Sequence, residues 1–399
     1  LSPVGGASIG RLPFRKAETL DTYVDRLIRY ETSPPVDATR RLMRFVTSEG
    51  RFGPFIDRIL EGMFRTVVSA DIPPAYDIET TFASLQSPYL WPPPEFNDKV
   101  IRGFNEGCLF YTYVGHGFAH GFDSLHAGSE RFPILVKEDV PRIDSRGTPP
   151  VLFVVACTTA MFDMPFDTGI GEALLARPGG PIAYWGATRI CHPAANSLLG
   201  RAIARTMAKG EGVLTLGQIL DRARDQVLTK QGDPGRLLID FAIRQLAAGA
   251  DPDRLALEGT WMYTLLGDPA TRVAFPVSDV RVEARAAETG EVAVRVAAPR
   301  PDGTRVTVRI ETPRSRHANP PERVARPLDP ASVPTLRANH QRMNDLGIVA
   351  GEVLLAAGKG GVTLALPEGV EPEGLIVKAW TLTDQNVHQG ATTLAVDAE

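Results

Sequence analysis

Apolar positions near the start of the chain recur with the period of a helix. Between residues 17 and 31, Leu20, Tyr23, Val24, Leu27 and Ile28 fall on one face. The run ends at Ser33-Pro34-Pro35, because proline lacks an N–H and restricts the residue before it. The pattern is mixed from 49 to 94, with a loop over 87–94, and a short helix is predicted over 97–105. A different pattern then begins. Residues 109–114, 151–156 and 182–185 are short apolar runs of strand length, and the unbroken 151–156 run is that of a strand buried on both faces. A crossover helix is predicted over 169–177. Strand, helix and strand at this spacing predict an α/β unit, a mostly parallel sheet flanked by helices. Further helices are predicted over 197–209, 216–230 and 236–248.

After Pro276 the period changes to two. Residues 279–286, 291–297, 305–311, 361–366, 374–381 and 392–396 alternate apolar with polar and are separated by Gly, Pro and Asp. That spacing predicts an immunoglobulin-like β-sandwich. A polar, proline-rich stretch over 312–344 interrupts it as a long connection with some helix. The chain therefore divides into an α/β domain at 1–276 and a β-sandwich at 277–399.

Composition narrows the function. The 399 residues hold 43 Lys and Arg against 47 Asp and Glu, a net charge of −4. Nucleic-acid binding, which needs a basic footprint, is not expected. Three cysteines, Cys108, Cys157 and Cys191, are too few and odd in number for a disulfide framework. No apolar run reaches the roughly 18–20 residues of a membrane span, so no span is expected.

Two strand ends carry chemistry. Gly115-His116-Gly117 follows one apolar run and Ala156-Cys157-Thr158 follows another. In open parallel sheets, ligands and reactive groups gather beyond the carboxyl ends of the strands. A cysteine there with a histidine on the neighbouring strand end forms a thiol–imidazole pair whose thiolate attacks a carbonyl. Gly117 lets a substrate carbonyl approach the backbone. Its N–H and that of Cys157 are the candidate oxyanion donors. A cysteine after a strand is, by composition alone, more often a core residue; Cys108 is assigned to the core in that way.

These residues also carry a resemblance. Gly115-His116-Gly117 and Ala156-Cys157-Thr158-Thr159-Ala160 look like the corresponding motifs of the gingipain family of cysteine peptidases, relatives of caspases and legumain. Ile9-Gly10-Arg11-Leu12-Pro13-Phe14-Arg15, Phe104-Asn105-Glu106-Gly107, Gly180-Pro181-Ile182-Ala183-Tyr184-Trp185-Gly186 and Leu266-Gly267-Asp268-Pro269-Ala270 extend the match in order over residues 8–276. The resemblance implies a caspase-like α/β fold with an immunoglobulin-like domain behind it. It also implies an endopeptidase acting on proteins or peptides through a His116–Cys157 dyad and a thioester acyl-enzyme. It implies a further α/β subdomain ahead of residue 9, so a cleaved N-terminal subdomain or propeptide is an expected partner and a zymogen an expected form, with Leu1 as a processed terminus. Relatives are secreted or displayed on bacterial surfaces, which makes export the expectation here. Phe118 stands where the family often has Ser, and Phe122 where a Trp is expected. Both are expected on the wall of the substrate cleft. Thr188, Arg189 and His192, in the loop after the third strand, are expected substrate contacts, and their cationic groups favour an acidic side chain.

Other readings of the same residues stay open. His116 and His120 have the spacing of a helical zinc pair, but Gly115, Gly117 and Gly121 disfavour a helix and no Glu follows His116. His120 and His126 are then residues that line or flank the cleft. Asp163 and Asp167 are expected to cap the crossover helix and Asp268 to order a turn. No cofactor is required. The resemblance allows structural calcium, although no segment has the alternating oxygen ligands of a dedicated loop. The non-enzymatic alternative is a degenerate peptidase-like module for adhesion or assembly.

Overall fold

The apolar runs become strands of one seven-stranded sheet in a computed structural model that describes residues 7–51, 70–145, 147–208, 214–229, 240, 244, 251–287, 290–316, 321–324 and 328–396. Its strands include β1 (Gly10–Arg11), β2 (Leu42–Ser48), β3 (Asp77–Ala83) and β4 (Phe110–Val114). Two small hairpins follow β4, pairing β5 (Gly117–Phe118) with β6 (Gly121–Phe122) and β7 (Ser124–Ala127) with β8 (Glu130–Pro133). The sheet is completed by β9 (Val151–Val155), β10 (Ala183–Ala187) and β11 (Tyr263–Leu266). Its order is β1-β11-β10-β9-β4-β2-β3, parallel throughout except for β10 against β11.

Both faces of this sheet are covered, as the unbroken apolar runs require. Along β9, Val151, Phe153 and Val155 join a core with α4 (Pro193–Ala208) and α5 (Leu216–Thr229). Leu152 and Val154 join the opposite core with α1 (Ala17–Thr32), α2 (Phe96–Asn105) and α3 (Ile170–Ala176). A further helix, α6 (Pro252–Met262), leads into β11. The helix predicted over 236–248 lies outside the described residues apart from 240 and 244. Among the described residues no helix is long and apolar enough to cross a membrane.

The two ends of the α/β segment interlock. β1 pairs with β11, and a Cβ on Gly10 would lie 2.1 Å from the Gly267 carbonyl oxygen and 2.7 Å from Pro269 Cδ. Only glycine fits there, which explains why Gly10-Arg11 and Leu266-Gly267-Asp268-Pro269 occur together. Helix α1 clamps the same segment: Tyr23 Oη donates to Ile182 O (3.0 Å) and accepts from Asp268 N–H (3.2 Å), and Tyr30 Oη accepts from Ala274 N–H (3.1 Å). Asp268 accepts from Ala270 N–H at 2.9 Å, the turn expected of it.

β2 and β3 were hidden in the sequence by their charges. Arg44 inside β2 is buried, yet it reaches Glu79 of β3 at 2.7 Å and Glu106 at 2.6 Å. Burial opposes ionisation of Glu79, but Arg44 and Lys99 outweigh it and hold the carboxyl below its ordinary range. A strand with such a charge inside breaks the apolar run by which strands are recognised.

Residues after 277 form two four-stranded sheets. One, in the order β16-β13-β12-β19, contains β12 (Arg281–Ala286), β13 (Glu291–Ala297), β16 (Lys359–Ala365) and β19 (Ala395–Val396). The other, in the order β15-β14-β17-β18, contains β14 (Arg305–Glu311), β15 (Gly347–Leu354), β17 (Ile376–Leu382) and β18 (Val387–Thr393). Val282, Val294, Val296, Val308, Ile310 and Val377 from the two sheets share one core. The 312–344 stretch holds helix α7 (Val333–Asn344), and the sequence reading missed β15 directly after it.

This second unit covers the edge strand β3. Asn344 Oδ1 accepts from Thr80 N–H (2.7 Å) and its amide donates to Thr80 O (3.0 Å), so a side chain occupies the pairing site of an otherwise open edge. Lys378, 4% exposed in its side chain, sits 2.9 Å from Asp77 and 2.6 Å from Glu311. Arg41 donates to Ala75 O and Gln389 Oε1, and stacks 4.1 Å over the Trp380 ring. Removing one partner of a buried ion cluster leaves uncompensated charge, at a cost of roughly 3–5 kcal/mol. Lys378→Ala is therefore expected to lose about that much in urea unfolding, and Lys378→Met with Glu311→Leu to recover most of it.

Candidate active site

β2, β4, β9 and β10 end side by side at their carboxyl edges. Four loops leave from there, and they deliver Gly50, His116, Cys157 and Cys191 to one place. The strand ends that the sequence assigned to histidine and cysteine are direct neighbours, with Val114 paired to Val155.

The histidine loop is built from below. Tyr113, at the end of β4, stacks on Phe122 with centroids 4.1 Å apart and planes 5° apart. Its hydroxyl donates to His116 O (2.7 Å) and accepts from Asp123 N–H (3.2 Å). Arg51 ties the turn after β2 to this loop through Asp123 (2.5 Å) and His126 (2.7 Å). The His116 ring meets the Gly50 carbonyl through Nε2. A carbonyl only accepts, so Nε2 carries the hydrogen and the lone pair of the neutral ring is on Nδ1.

The cysteine loop is strained where it turns. Thr158 has φ +54°, a genuine outlier for a β-branched residue, costing about 1–3 kcal/mol. Bonds from Thr158 N–H to Arg189 O (3.2 Å) and from Met161 N–H to Thr158 O (3.1 Å) hold it there. Gly117 packs against this loop: a Cβ on it would fall 2.5 Å from Thr159 Cγ2 and 2.9 Å from Ala156 Cβ.

Cys157 faces a second thiol. Cys191 Sγ lies 3.8 Å from Cys157 Sγ, and Cys191 N–H points at Cys157 Sγ from 3.5 Å. These two donors, the thiol first, and the nearby His116 outweigh burial and bring the Cys157 thiol down to about 6. The same contact pushes the Cys191 thiol upward. Cys108 is fully buried at the other end of β4, and burial raises its thiol to about 12.

A cavity of about 750 Å³ opens beside Cys157 and His116. Phe45, Phe82, Val114, Phe153, Ile203 and Met207 give it an apolar wall, while Glu49, Arg51 and Arg201 are among its polar lining residues. The side chains expected to contact substrate are not among those that line this cavity. Phe122 is 1% exposed beneath the histidine loop, held there by its stacking on Tyr113, and does not reach the cleft. Phe118 is exposed but does not line the cavity. Thr188 donates to Met262 O (3.0 Å), and Arg189 pairs with Asp163 at 2.6 Å. His192 is half-buried, and its pKa is lowered by desolvation.

The acidic residues expected as caps also differ. The N–H of Gly169 at the start of α3 goes to Glu172 (2.8 Å), while Asp163 holds Arg189 and Asp167 holds His120 (2.7 Å) and Lys137. His120 and His116 thus have separate partners. Among the described residues no group of three or more His, Cys, Asp or Glu side chains is arranged to hold a metal ion, so no calcium or zinc site is assigned. The sequence reading missed Gly50 and the pairing of Cys191 with Cys157. The position of Cys191 just beyond a strand adjacent to β9 was the available signal.

Of the comparisons with known proteins, the family model agrees with the motifs. No curated protein matches the chain. One solved structure, described only as a protease, has 13% identity and a TM-score of 0.44, covering 95% of this chain and 73% of its own. Dimeric latent PorU from Porphyromonas gingivalis has 12% identity and a TM-score of 0.23, covering 56% of this chain and 20% of its own. The family model described as peptidase family C25 matches residues 4–274, the span that contains both strand-end motifs. The chain belongs to peptidase family C25, the gingipain family of cysteine peptidases.

Proposed function

We propose that this chain is an endopeptidase that uses Cys157 as nucleophile and His116 as its proton partner. The observation that carries the reading is the setting of Cys157. Its sulfur receives two donors from Cys191 and lines the same cavity as His116, whose ring is oriented by Gly50. The Cys157 thiol passes its proton to Nδ1 of His116, the resulting thiolate attacks the scissile carbonyl carbon, and the carbonyl oxygen takes up negative charge beside the N–H groups of Gly117 and Cys157. His116 then gives a proton to the leaving amine, which departs and leaves a thioester on Cys157. Water attacks the thioester with His116 as base, releasing the acid. The close packing of Gly117 on Ala156 and Thr159 sets its backbone against the loop that carries Cys157, which supports its role as donor.

The reading extends to substrate and to the second unit. The apolar wall of the cavity supports a preference for a large apolar side chain next to the scissile bond, in place of the acidic one expected from Arg189 and His192. Residues 1–276 are assigned as a caspase-like peptidase domain and 277–399 as an immunoglobulin-like sandwich, on the strength of the two opposed sheets. An exported protein is the biological setting that family membership supports.

Three outcomes follow. Cys157→Ala should abolish peptide cleavage, and His116→Ala should lower kcat/KM by roughly 10²–10⁴-fold; wild-type rates in either variant would refute the dyad. Because the thiolate is the reactive form, alkylation of Cys157 by iodoacetamide should rise with pH around a midpoint near 6. Cys191→Ala should move that midpoint upward further than His116→Ala does, since the Cys191 thiol is the larger cause. Profiling with a peptide library should show enrichment of large apolar residues on the amino side of the cleaved bond, and enrichment of acidic ones would reverse the assignment of the cavity.

A further inference from the structure

The peptidase reading gives Cys191 only the task of donating to Cys157. Its sulfur nevertheless stands 3.8 Å from the Cys157 sulfur, and the two residues follow strands that are paired in register, Ala183 with Val151 through Gly186 with Val154. Neighbouring strands run about 4.8 Å apart. A disulfide needs sulfurs at about 2.05 Å, so two sulfurs already 3.8 Å apart on loops from adjacent strand ends have a short gap left to close. Cys157 lines an open cavity and is reachable by a small oxidant. Cys191 lines the same cavity but is the more buried of the two, 7% exposed. The third thiol, Cys108, is fully buried before β4, at the opposite end of the sheet, and cannot compete.

We propose that Cys157 and Cys191 form a reversible disulfide under hydrogen peroxide, and that this bond switches the peptidase off while sparing its nucleophile from irreversible oxidation. The Cys157 thiolate attacks one peroxide oxygen. The S–O bond forms, the O–O bond breaks, and the departing hydroxide takes up a proton as water, leaving a sulfenic acid. The Cys191 sulfur then attacks the sulfenic sulfur. The S–S bond forms, the S–O bond breaks, and the departing hydroxide leaves as a second water with the Cys191 proton. Two thiols are oxidised by two electrons in all, and one peroxide is reduced to two waters. An external dithiol reverses the step by exchange through a mixed disulfide, ending as its own disulfide. Without Cys191 the sulfenic acid has no resolving thiol beside it and passes on to the sulfinic and sulfonic acids, which thiols do not reduce.

Loss of function on closing the bond rests on Cys157 being the nucleophile; formation of the bond does not. The test treats the whole chain with hydrogen peroxide, maps peptides by mass spectrometry without reduction, and assays peptide cleavage before and after dithiothreitol. In the wild type a cross-linked peptide joining Cys157 to Cys191 is expected, with activity lost on oxidation and largely regained on reduction. In Cys191→Ser and Cys191→Ala, each compared with its own untreated activity, the loss should persist after reduction, with Cys157 found as sulfinic or sulfonic acid. Absence of the cross-linked peptide in oxidised wild type overturns the proposal, and that map does not depend on any variant folding. Recovery in the Cys191 variants as complete as in wild type overturns the protective role. A cross-link that leaves cleavage unchanged overturns the switch. Persistent cleavage by Cys157→Ala then identifies the nucleophile assignment as the part that failed.

Discussion

The site depends on one contact, the packing of the loop after β4 on the loop after β9. Because β4 and β9 are neighbours in the sheet, the chain leaving each must turn within the width of one strand. Gly117 makes that approach tolerable, since any Cβ there would fall 2.5 Å from Thr159 Cγ2 and 3.0 Å from the Cys157 carbonyl oxygen. On the other side of the gap Thr158 accepts a left-handed backbone. The sheet thereby brings an imidazole and a thiol to the same cavity from residues 41 positions apart in a sequence that shows no local motif joining them.

Around that contact, the rest of the molecule restrains motion. The clamp of Tyr23 and Tyr30 on the segment after β11 closes one side of the sheet. On the other side β3 would be an open edge, and Asn344, Lys378 and Arg41 connect it to the second unit. Buried charges are an expensive way to join two bodies, but here each has several partners, and the strand that they fix pairs with β2, whose following turn supplies Gly50 to the histidine. The second unit therefore packs on the strand next to the one whose following turn supplies Gly50.

Sequence was most informative where the burial pattern was regular, on both faces of β9 and on one face of β13 and β14. The 151–156 run and the 291–297 and 305–311 alternations correspond closely to β9, β13 and β14, because side-chain period alone specifies them. β2 and β3 were illegible because Arg44 and Glu79 satisfy each other across strands far apart in sequence, and periodicity cannot see such a partner. The same limit applied to the site. His116 and Cys157 were legible from their strand-end positions and from the ordered family motifs. Gly50 acts through its backbone carbonyl, which no side-chain pattern records, and Cys191 gains its meaning only from the adjacency of β10 to β9. Phe122 was expected on the cleft wall because the family has a Trp there, whereas stacking on Tyr113 buries it.

The central claim is that Cys157 attacks a carbonyl whose oxygen settles against the backbone of the two loops. A crystal structure of the protein after reaction with a peptide aldehyde examines it most directly. The account predicts a hemithioacetal on Cys157 Sγ, with its oxygen about 3 Å from the N–H groups of Gly117 and Cys157 and His116 Nδ1 beside the sulfur. An adduct on Cys191, or an oxygen turned away from Gly117, would contradict it.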